Sequence, residues 1–171
     1  CAAICIYPRF ISYTKDKLKG SGLMTATVST SFPSGQVPLD LKLLEVKYCI
    51  EQGADEIDMV ISRGEFLSGN FELISDEIKQ IKAICSSEGK HVHLKVILET
   101  GELKTYENIY KASVLAIDAG ADFIKTSTGK ISPAATLEAA YIMLSVIKEH
   151  YKNTGVKIGF KPAGGIRTTD E

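Results

Sequence analysis

Short apolar runs alternate with longer amphipathic segments along the whole chain. The apolar runs are rich in Val, Ile and Phe and are followed by Gly, Ser, Thr, Pro or charged residues, which is typical of β-strands. These predicted strands cover 2–7, 24–29, 56–61, 93–98, 123–127 and 157–160. The first run is apolar throughout, which predicts a strand buried on both faces.

The segments between the strands repeat apolar residues at helical spacing, and each ends near a Gly or polar turn. They predict helices over 10–19, 38–52, 71–86, 105–118 and from 133 to about 152. Ser132 is the predicted cap of the last helix, with Pro133 at its first position. The predicted apolar stripes of the second and last helices comprise Leu41, Leu44, Val46, Tyr48 and Cys49, and Leu137, Tyr141, Leu144 and Ile147.

Strict alternation of apolar strands and helices predicts a parallel sheet covered on both faces. A doubly wound sheet and a (β/α)8 TIM barrel both fit this order. The barrel is favoured because polar residues inside most strands would face a common centre. A closed barrel needs eight strands and about 250 residues, so the 171 residues predict a single, partial TIM-barrel domain with about six βα units. The chain starts at Cys1 and ends where a further helix is expected to begin, at 167–171, so one unit is expected to be missing at each end.

Composition limits the class of protein. Hydrophobic residues make up 44% and charged residues 24%, and the net charge is −1, so a nucleic-acid or membrane-surface partner is disfavoured. No apolar run is long enough to span a bilayer, and no signal peptide is evident. The four cysteines show no close metal-ligand pairing, and His91 and His93 lack a supporting cluster, so no metal site is predicted. Reduced thiols of this kind are typical of a cytoplasmic protein.

The stretch 123–130, Phe-Ile-Lys-Thr-Ser-Thr-Gly-Lys, places one lysine in an apolar strand. Burial disfavours the ammonium form of Lys125, and a neutral amine can form a Schiff base with a carbonyl compound. The alternative is an edge-strand lysine whose ammonium group reaches water. The stretch is not a nucleotide P-loop, because that motif has Gly at the first position and Ser or Thr at the last. This chain has Ile124 and Ile131 at those two positions.

A short internal repeat relates Lys125 to an acid. Gly-Ala-Asp-Glu-Ile-Asp at 53–58 aligns with Gly-Ala-Asp-Phe-Ile-Lys at 120–125, so Asp58 and Lys125 are expected to point to the same interior. Lys161 follows at the end of the last strand. Two converging lysines make each other harder to charge, and Asp58 could balance the remaining charge and transfer protons. The alternative is a structural Lys-Asp-Lys ion triad.

Two loops have the composition of an anion site. Gly164 and Gly165 allow backbone N–H groups to approach an anion closely, ahead of a predicted helix start. Thr128, Gly129 and Lys130 would form the second part of the same site. The alternative for the glycines is an ordinary turn that requires positive φ.

The motifs together resemble the deoxyribose-phosphate aldolase family, class I aldolases that use a Schiff base on a (β/α) barrel. The resemblance covers the whole chain. It is carried by Ala-Ala-Ile-Cys-Ile-Tyr-Pro at 2–8, Phe-Pro-Ser-Gly at 32–35, Glu-Ile-Asp-Met-Val-Ile at 56–61, Leu-Lys-Val-Ile-Leu-Glu-Thr-Gly-Glu-Leu at 94–103, Phe-Ile-Lys-Thr-Ser-Thr-Gly-Lys at 123–130 and Gly-Phe-Lys-Pro-Ala-Gly-Gly-Ile-Arg at 159–167.

The resemblance implies a role for each matching residue. Lys125 would form the Schiff base, Lys161 would favour its neutral form, and Asp58 would serve the proton relay. Cys5 would lie near the substrate without acting as the nucleophile, and Lys95 is a weaker candidate for the barrel interior. The implied phosphate-binding residues are Thr128, Gly129, Lys130, Gly164, Gly165 and Arg167. The first and last strands of the family are expected to be absent, and the last one carries a Gly-Ser segment that completes the phosphate site.

The implied activity is the reversible cleavage of 2-deoxy-D-ribose 5-phosphate to D-glyceraldehyde 3-phosphate and acetaldehyde, in deoxyribose catabolism. Its partners would be the small-molecule sugar phosphate and aldehyde, without a cofactor, and a homo-oligomer is compatible with this. Two alternatives stay open. One is another Schiff-base aldolase, and the other is an inactive, truncated barrel that binds a sugar phosphate or a partner without turnover.

Overall fold

Six parallel strands form one sheet in the computed structural model, which describes residues 1–87, 89 and 91–168. The strands are β1 (Ala3–Ile6), β2 (Met24–Ser29), β3 (Glu56–Val60), β4 (His93–Ile97), β5 (Phe123–Lys125) and β6 (Gly159–Lys161). Their order in the sheet follows their order in the chain. In a doubly wound sheet the strand order reverses at a switch point. The continuous order seen here therefore matches the barrel prediction.

In the described part of the chain, six α-helices connect the strands and cover one face of the sheet. They are α1 (Ile11–Lys17), α2 (Leu39–Glu51), α3 (Arg63–Leu67), α4 (Phe71–Cys85), α5 (Tyr106–Asp118) and α6 (Leu137–Thr154), with 3-10 turns at Pro8–Phe10 and Thr100–Glu102. The sequence did not predict α3, because five residues are too few to show a helical period. None of the helices in the described residues is both long and apolar enough to cross a membrane.

The sheet curls into part of a barrel. Asp58 lies on β3 and Lys161 on β6, three strands away. In a flat sheet these strands would be separated by about 14 Å, yet Lys161 Nζ lies 2.8 Å from Asp58 Oδ2. The side chains therefore meet across a concave interior, and about six βα units of a TIM barrel are present.

Strand register decides which side chains face that interior. Asp58 pairs with Lys95, Ile97 with Lys125, and Lys125 with Lys161, and residues paired in parallel strands point to the same side of the sheet. The alternate residues face the helices and form the hydrophobic core. These buried residues include Ile57, Met59, Leu94, Val96 and Ile124, which belong to one core with Val46, Ile78, Ile81 and Ala112.

Two predicted burial patterns are wrong. β1 is not buried on both faces, since Ile4 is 37% exposed and β1 is an end strand of the sheet. On α2, Val46 and Cys49 are buried as predicted, but the rest of the predicted stripe (Leu41, Leu44 and Tyr48) is exposed. The buried face of α2 instead includes Lys42, because its ammonium group lies 2.5 Å from Glu77 on α4.

The start of α6 also differs from the prediction. The helix begins at Leu137 and its cap is Thr136, whose side chain accepts a hydrogen bond from Ala139 N. Ser132 precedes a cis bond to Pro133 in the preceding loop. Of the predicted apolar face, Leu137 (84%), Tyr141 and Leu144 are exposed, whereas Ile147 is partly buried against the core. The buried residues of the helix are Ala139, Met143 and Val146. The helix expected near 167–171 lies mostly outside the described residues.

Candidate active site

Asp58 is the centre of a buried charge cluster. Its side chain is fully buried on β3, and its Oδ2 atom accepts hydrogen bonds from Lys125 Nζ and Lys161 Nζ, each at 2.8 Å. Lys125 is almost fully buried on β5, whereas the Lys161 side chain is 31% exposed on β6. The structure thus brings together the three residues that the sequence singled out for Schiff-base chemistry.

The electrostatics of this cluster favour a charged Asp58. Burial opposes ionisation of its carboxyl group, but Lys125, Lys95 and Lys161 outweigh that effect and lower its pKa to about 2. Burial also opposes charging of Lys161, but the Asp58 carboxylate outweighs it, and the pKa of Lys161 is raised. At neutral pH the cluster therefore holds an Asp58 carboxylate beside a Lys161 ammonium.

Lys95, the weaker candidate, is a full member of the cluster. Its Nζ atom lies 3.3 Å from Asp58 Oδ1, pairs with Glu56 and sits 5.4 Å from the centre of the Phe123 ring. Glu56 was not predicted from the sequence to belong to this site. A signal was present, because Glu56 precedes Asp58 by two residues and so lies on the same face of β3.

Cys5 enters the cluster from β1. Its Sγ atom contacts Asp58 Oδ2 at 3.7 Å. Partial burial of the thiol, followed by the negative charge of Asp58, raises the pKa of Cys5. Since the thiolate is the nucleophilic form of cysteine, a raised pKa fits the expectation that Cys5 is not the nucleophile.

The loops after β5 and β6 are joined at the same end of the sheet. Thr126 Oγ1 accepts a hydrogen bond from Ala163 N at 2.9 Å. Gly164 has a φ of +87°, and a Cβ atom there would lie 3.0 Å from Gly129 Cα and 2.6 Å from Ala134 Cβ, so only glycine fits. Most of the residues implied in phosphate binding therefore lie on two adjoining loops: Thr128, Gly129, Lys130, Gly164 and Gly165, with Arg167 exposed just beyond them.

Thr128 has a partner that the sequence analysis did not foresee. Thr128 N donates to Glu99 Oε1 at 3.0 Å, and Thr128 Oγ1 donates to Glu99 Oε2 at 2.5 Å. Glu99 is fully buried. Its position two residues beyond β4, at the carboxyl end of a barrel strand, was the available signal.

The cluster contains amines, carboxylates and a thiol, the groups needed for covalent and proton-transfer chemistry. Within residues 1–87, 89 and 91–168, no three His, Cys, Asp or Glu side chains are grouped to hold a metal ion.

Comparison with known proteins gives close relatives of about twice the length. The chain is 50% identical over 173 residues to a Caenorhabditis elegans protein and 46% identical over 172 residues to the human deoxyribose-phosphate aldolase. These alignments cover 100% and 99% of the chain, but 56% and 53% of the relatives. The chain therefore spans about half the length of these relatives.

A solved structure and a family model agree with these relatives. The tetrameric deoxyribose phosphate aldolase from Aeropyrum pernix is 29% identical and superposes with a TM-score of 0.80, over 96% of this chain and 64% of that one. The family model described as "DeoC/LacD family aldolase" matches residues 1–171. The chain, with its lysine cluster on a curled parallel sheet, belongs to the DeoC/LacD family of aldolases.

Proposed function

We propose that this site cleaves 2-deoxy-D-ribose 5-phosphate reversibly to D-glyceraldehyde 3-phosphate and acetaldehyde, through a Schiff base on Lys125. The observation that carries the proposal is that Lys125 Nζ and Lys161 Nζ both lie 2.8 Å from one buried carboxylate oxygen. A purely structural ion pair does not need two ammonium groups on one oxygen, and burying such charges is costly. The choice of substrate follows the name of the human relative, deoxyribose-phosphate aldolase.

The proposed reaction assigns a step to each group. The unprotonated amine of Lys125 attacks the aldehyde carbon, and Asp58 and Lys161 transfer the protons that turn the carbinolamine into a protonated imine. The imine takes up the electron pair of the C2–C3 bond as that bond breaks and the C3 hydroxyl loses its proton. The resulting enamine is protonated at C2 and hydrolysed, which releases acetaldehyde and restores the lysine. This sequence requires no metal or organic cofactor.

The phosphate end of the substrate would bind at the loops after β5 and β6. In this proposal Gly129, Gly164 and Gly165 supply backbone N–H groups, and Lys130 and Arg167 supply positive charge. Thr128 belongs to the same loop, with its hydroxyl directed at Glu99. We further propose that residues 1–171 form a single, partial TIM-barrel domain of a cytoplasmic enzyme, and that this enzyme can form a homo-oligomer, as its Aeropyrum relative does.

Reductive trapping tests the proposal. Borohydride is added in the presence of acetaldehyde or deoxyribose 5-phosphate, and the adduct is located by peptide mass mapping. We expect a stable adduct on Lys125 that is lost in Lys125→Ala. Lys42→Met is the matched buried-lysine control, because Lys42 pairs with Glu77 outside the cluster, and it should retain the Lys125 adduct.

Each other outcome has a defined meaning. An adduct on Lys161 would show that the two lysines have the opposite roles. The absence of an adduct in a chain with the circular dichroism and melting transition of a folded protein would favour the inactive, truncated barrel. Trapping by acetaldehyde without cleavage of deoxyribose 5-phosphate would favour another Schiff-base aldolase.

A further inference from the structure

A second buried ionic network lies beside the charge cluster, at the carboxyl end of the strands. Its centre is Glu99, which is fully buried and adopts a left-handed conformation with φ 56° and ψ 58°. A residue other than glycine is rarely found in this region, and such strain persists only where the surroundings hold it. The contacts of the Glu99 carboxylate identify what holds it.

Arg63 supplies the positive charge that Glu99 needs. Arg63 Nη1 donates to Glu99 Oε2 at 3.1 Å. The same guanidinium donates from Nη2 to Ser34 O at 3.1 Å and lies 3.2 Å from Glu102 through Nε. One arginine therefore joins the loops after β2 and β4 to the start of α3.

Thr128 extends the network to the loop after β5. Both of its donors are used by Glu99, as its N–H and hydroxyl contact separate carboxylate oxygens. The same hydroxyl oxygen accepts a hydrogen bond from Lys130 N at 3.1 Å. Glu99 thereby restrains the segment 128–130, which begins three residues after Lys125.

We propose that Glu99 is a positioning residue that holds the segment 128–130 in place for the anionic end of the substrate. This inference rests on the proposed aldolase function. Glu99 does not bind the anion itself, because a carboxylate would repel it, and Arg63 neutralises that charge. Its effect passes through Thr128 to Gly129 and Lys130, so the loss of Glu99 should weaken binding of the phosphate and leave the amine chemistry intact.

The test measures the steady-state kinetics of the complete protein, as it is produced in the cell, with two substrates. For Glu99→Gln, we expect KM for deoxyribose 5-phosphate to rise about tenfold, as for the loss of one charge-assisted hydrogen bond. The kcat for that substrate and kcat/KM for 2-deoxyribose, which lacks the phosphate, should each stay within about twofold. Glu102→Gln is the matched control, because Glu102 contacts the same Arg63 but its side chain is 41% exposed, and we expect it to retain the wild-type KM.

A double-mutant cycle tests whether Glu99 acts through Thr128. Thr128→Val removes the hydroxyl, and the combined Glu99→Gln/Thr128→Val variant should have a KM no higher than the worse single variant, because both changes break one connection. Additive effects would overturn the proposal. A parallel loss of activity on both substrates, or loss of borohydride trapping in Glu99→Gln with an unchanged melting temperature, would also overturn it by placing Glu99 in the amine chemistry. If the wild-type protein itself gives no adduct on Lys125, the proposed function has failed rather than this inference.

Discussion

At the scale of single residues, the site is organised by one carboxylate shared between cations. Asp58 is fully buried, and Lys125 and Lys161 donate to the same oxygen while Lys95 lies near the other. Removing one partner of such a group leaves uncompensated buried charge, which usually costs more than the intact group contributes. Asp58 should therefore make a large contribution to the stability of the folded protein.

Acid titration tests the stabilising role of Asp58. Its pKa falls from an ordinary 3.8 to about 2 on folding, so ionised Asp58 stabilises the folded state above about pH 4, and this contribution is lost as the pH falls through 2. The contribution should be about 2 kcal/mol. We expect urea unfolding from pH 7 to pH 2 to show this loss in the wild type but not in Asp58→Asn.

Two further measurements make the acid titration decisive. Asp58→Asn should already be about 3 kcal/mol less stable at pH 7, because Lys125 and Lys161 lose their carboxylate partner and Lys95 keeps only Glu56. Asp16→Asn changes an exposed carboxylate on α1 and should keep the wild-type acid profile. An Asp58→Asn variant with the wild-type slope between pH 4 and pH 2 would contradict the assignment.

At the scale of elements, strand positions were predictable but helix faces were less so. β2 begins and ends at the predicted residues, Met24 and Ser29. The apolar residues Leu137 and Tyr141 instead follow a helical period on the exposed side of α6. Sequence periodicity shows that a helix has an apolar face but does not show which face meets the sheet, because exposed apolar residues are common.

The cap of α6 gives a prediction at this scale. Thr136→Ala removes the side chain that accepts the hydrogen bond from Ala139 N, so the variant should lose about 1 kcal/mol of unfolding free energy in urea titration. Ser132→Ala is the control, because Ser132 was the cap expected from the sequence, yet it is exposed and lies before the helix. It should change stability by less than about 0.5 kcal/mol. The reverse ranking of the two variants would place the helix start at Ser132.

At the scale of the whole molecule, the curvature of the sheet brings the charged side chains of the cluster together. The sequence predicted that Asp58, Lys125 and Lys161 share an interior, because each lies in or at the end of an apolar strand. Lys95 was only a weaker candidate for that interior, and the sequence did not predict that Glu56 belongs to the cluster or that Thr128 bonds to Glu99. The contact of Lys95 with Asp58 depends on strand register, and that of Thr128 with Glu99 depends on the left-handed turn at Glu99. Neither leaves a periodic signal in the sequence.

The two end strands give the last prediction. Within the described part of the chain, β1 and β6 each pair with one neighbour, and a strand edge that is apolar and unpaired promotes association. We therefore expect the 171-residue chain to self-associate in sedimentation velocity as its concentration rises. Ile4→Lys places a charge on β1, where Ile4 is 37% exposed, and should weaken the association about tenfold.

A second lysine substitution distinguishes pairing of the strand edges from nonspecific association through exposed apolar side chains. Leu137 on α6 is 84% exposed, more than Ile4, so Leu137→Lys removes more exposed apolar surface but leaves both strand edges unchanged. If association occurs through the edges, Leu137→Lys should have little effect on it. Equal weakening by both variants would assign the association to exposed apolar side chains instead, and a monomer at every concentration would show that the curled sheet protects its own edges.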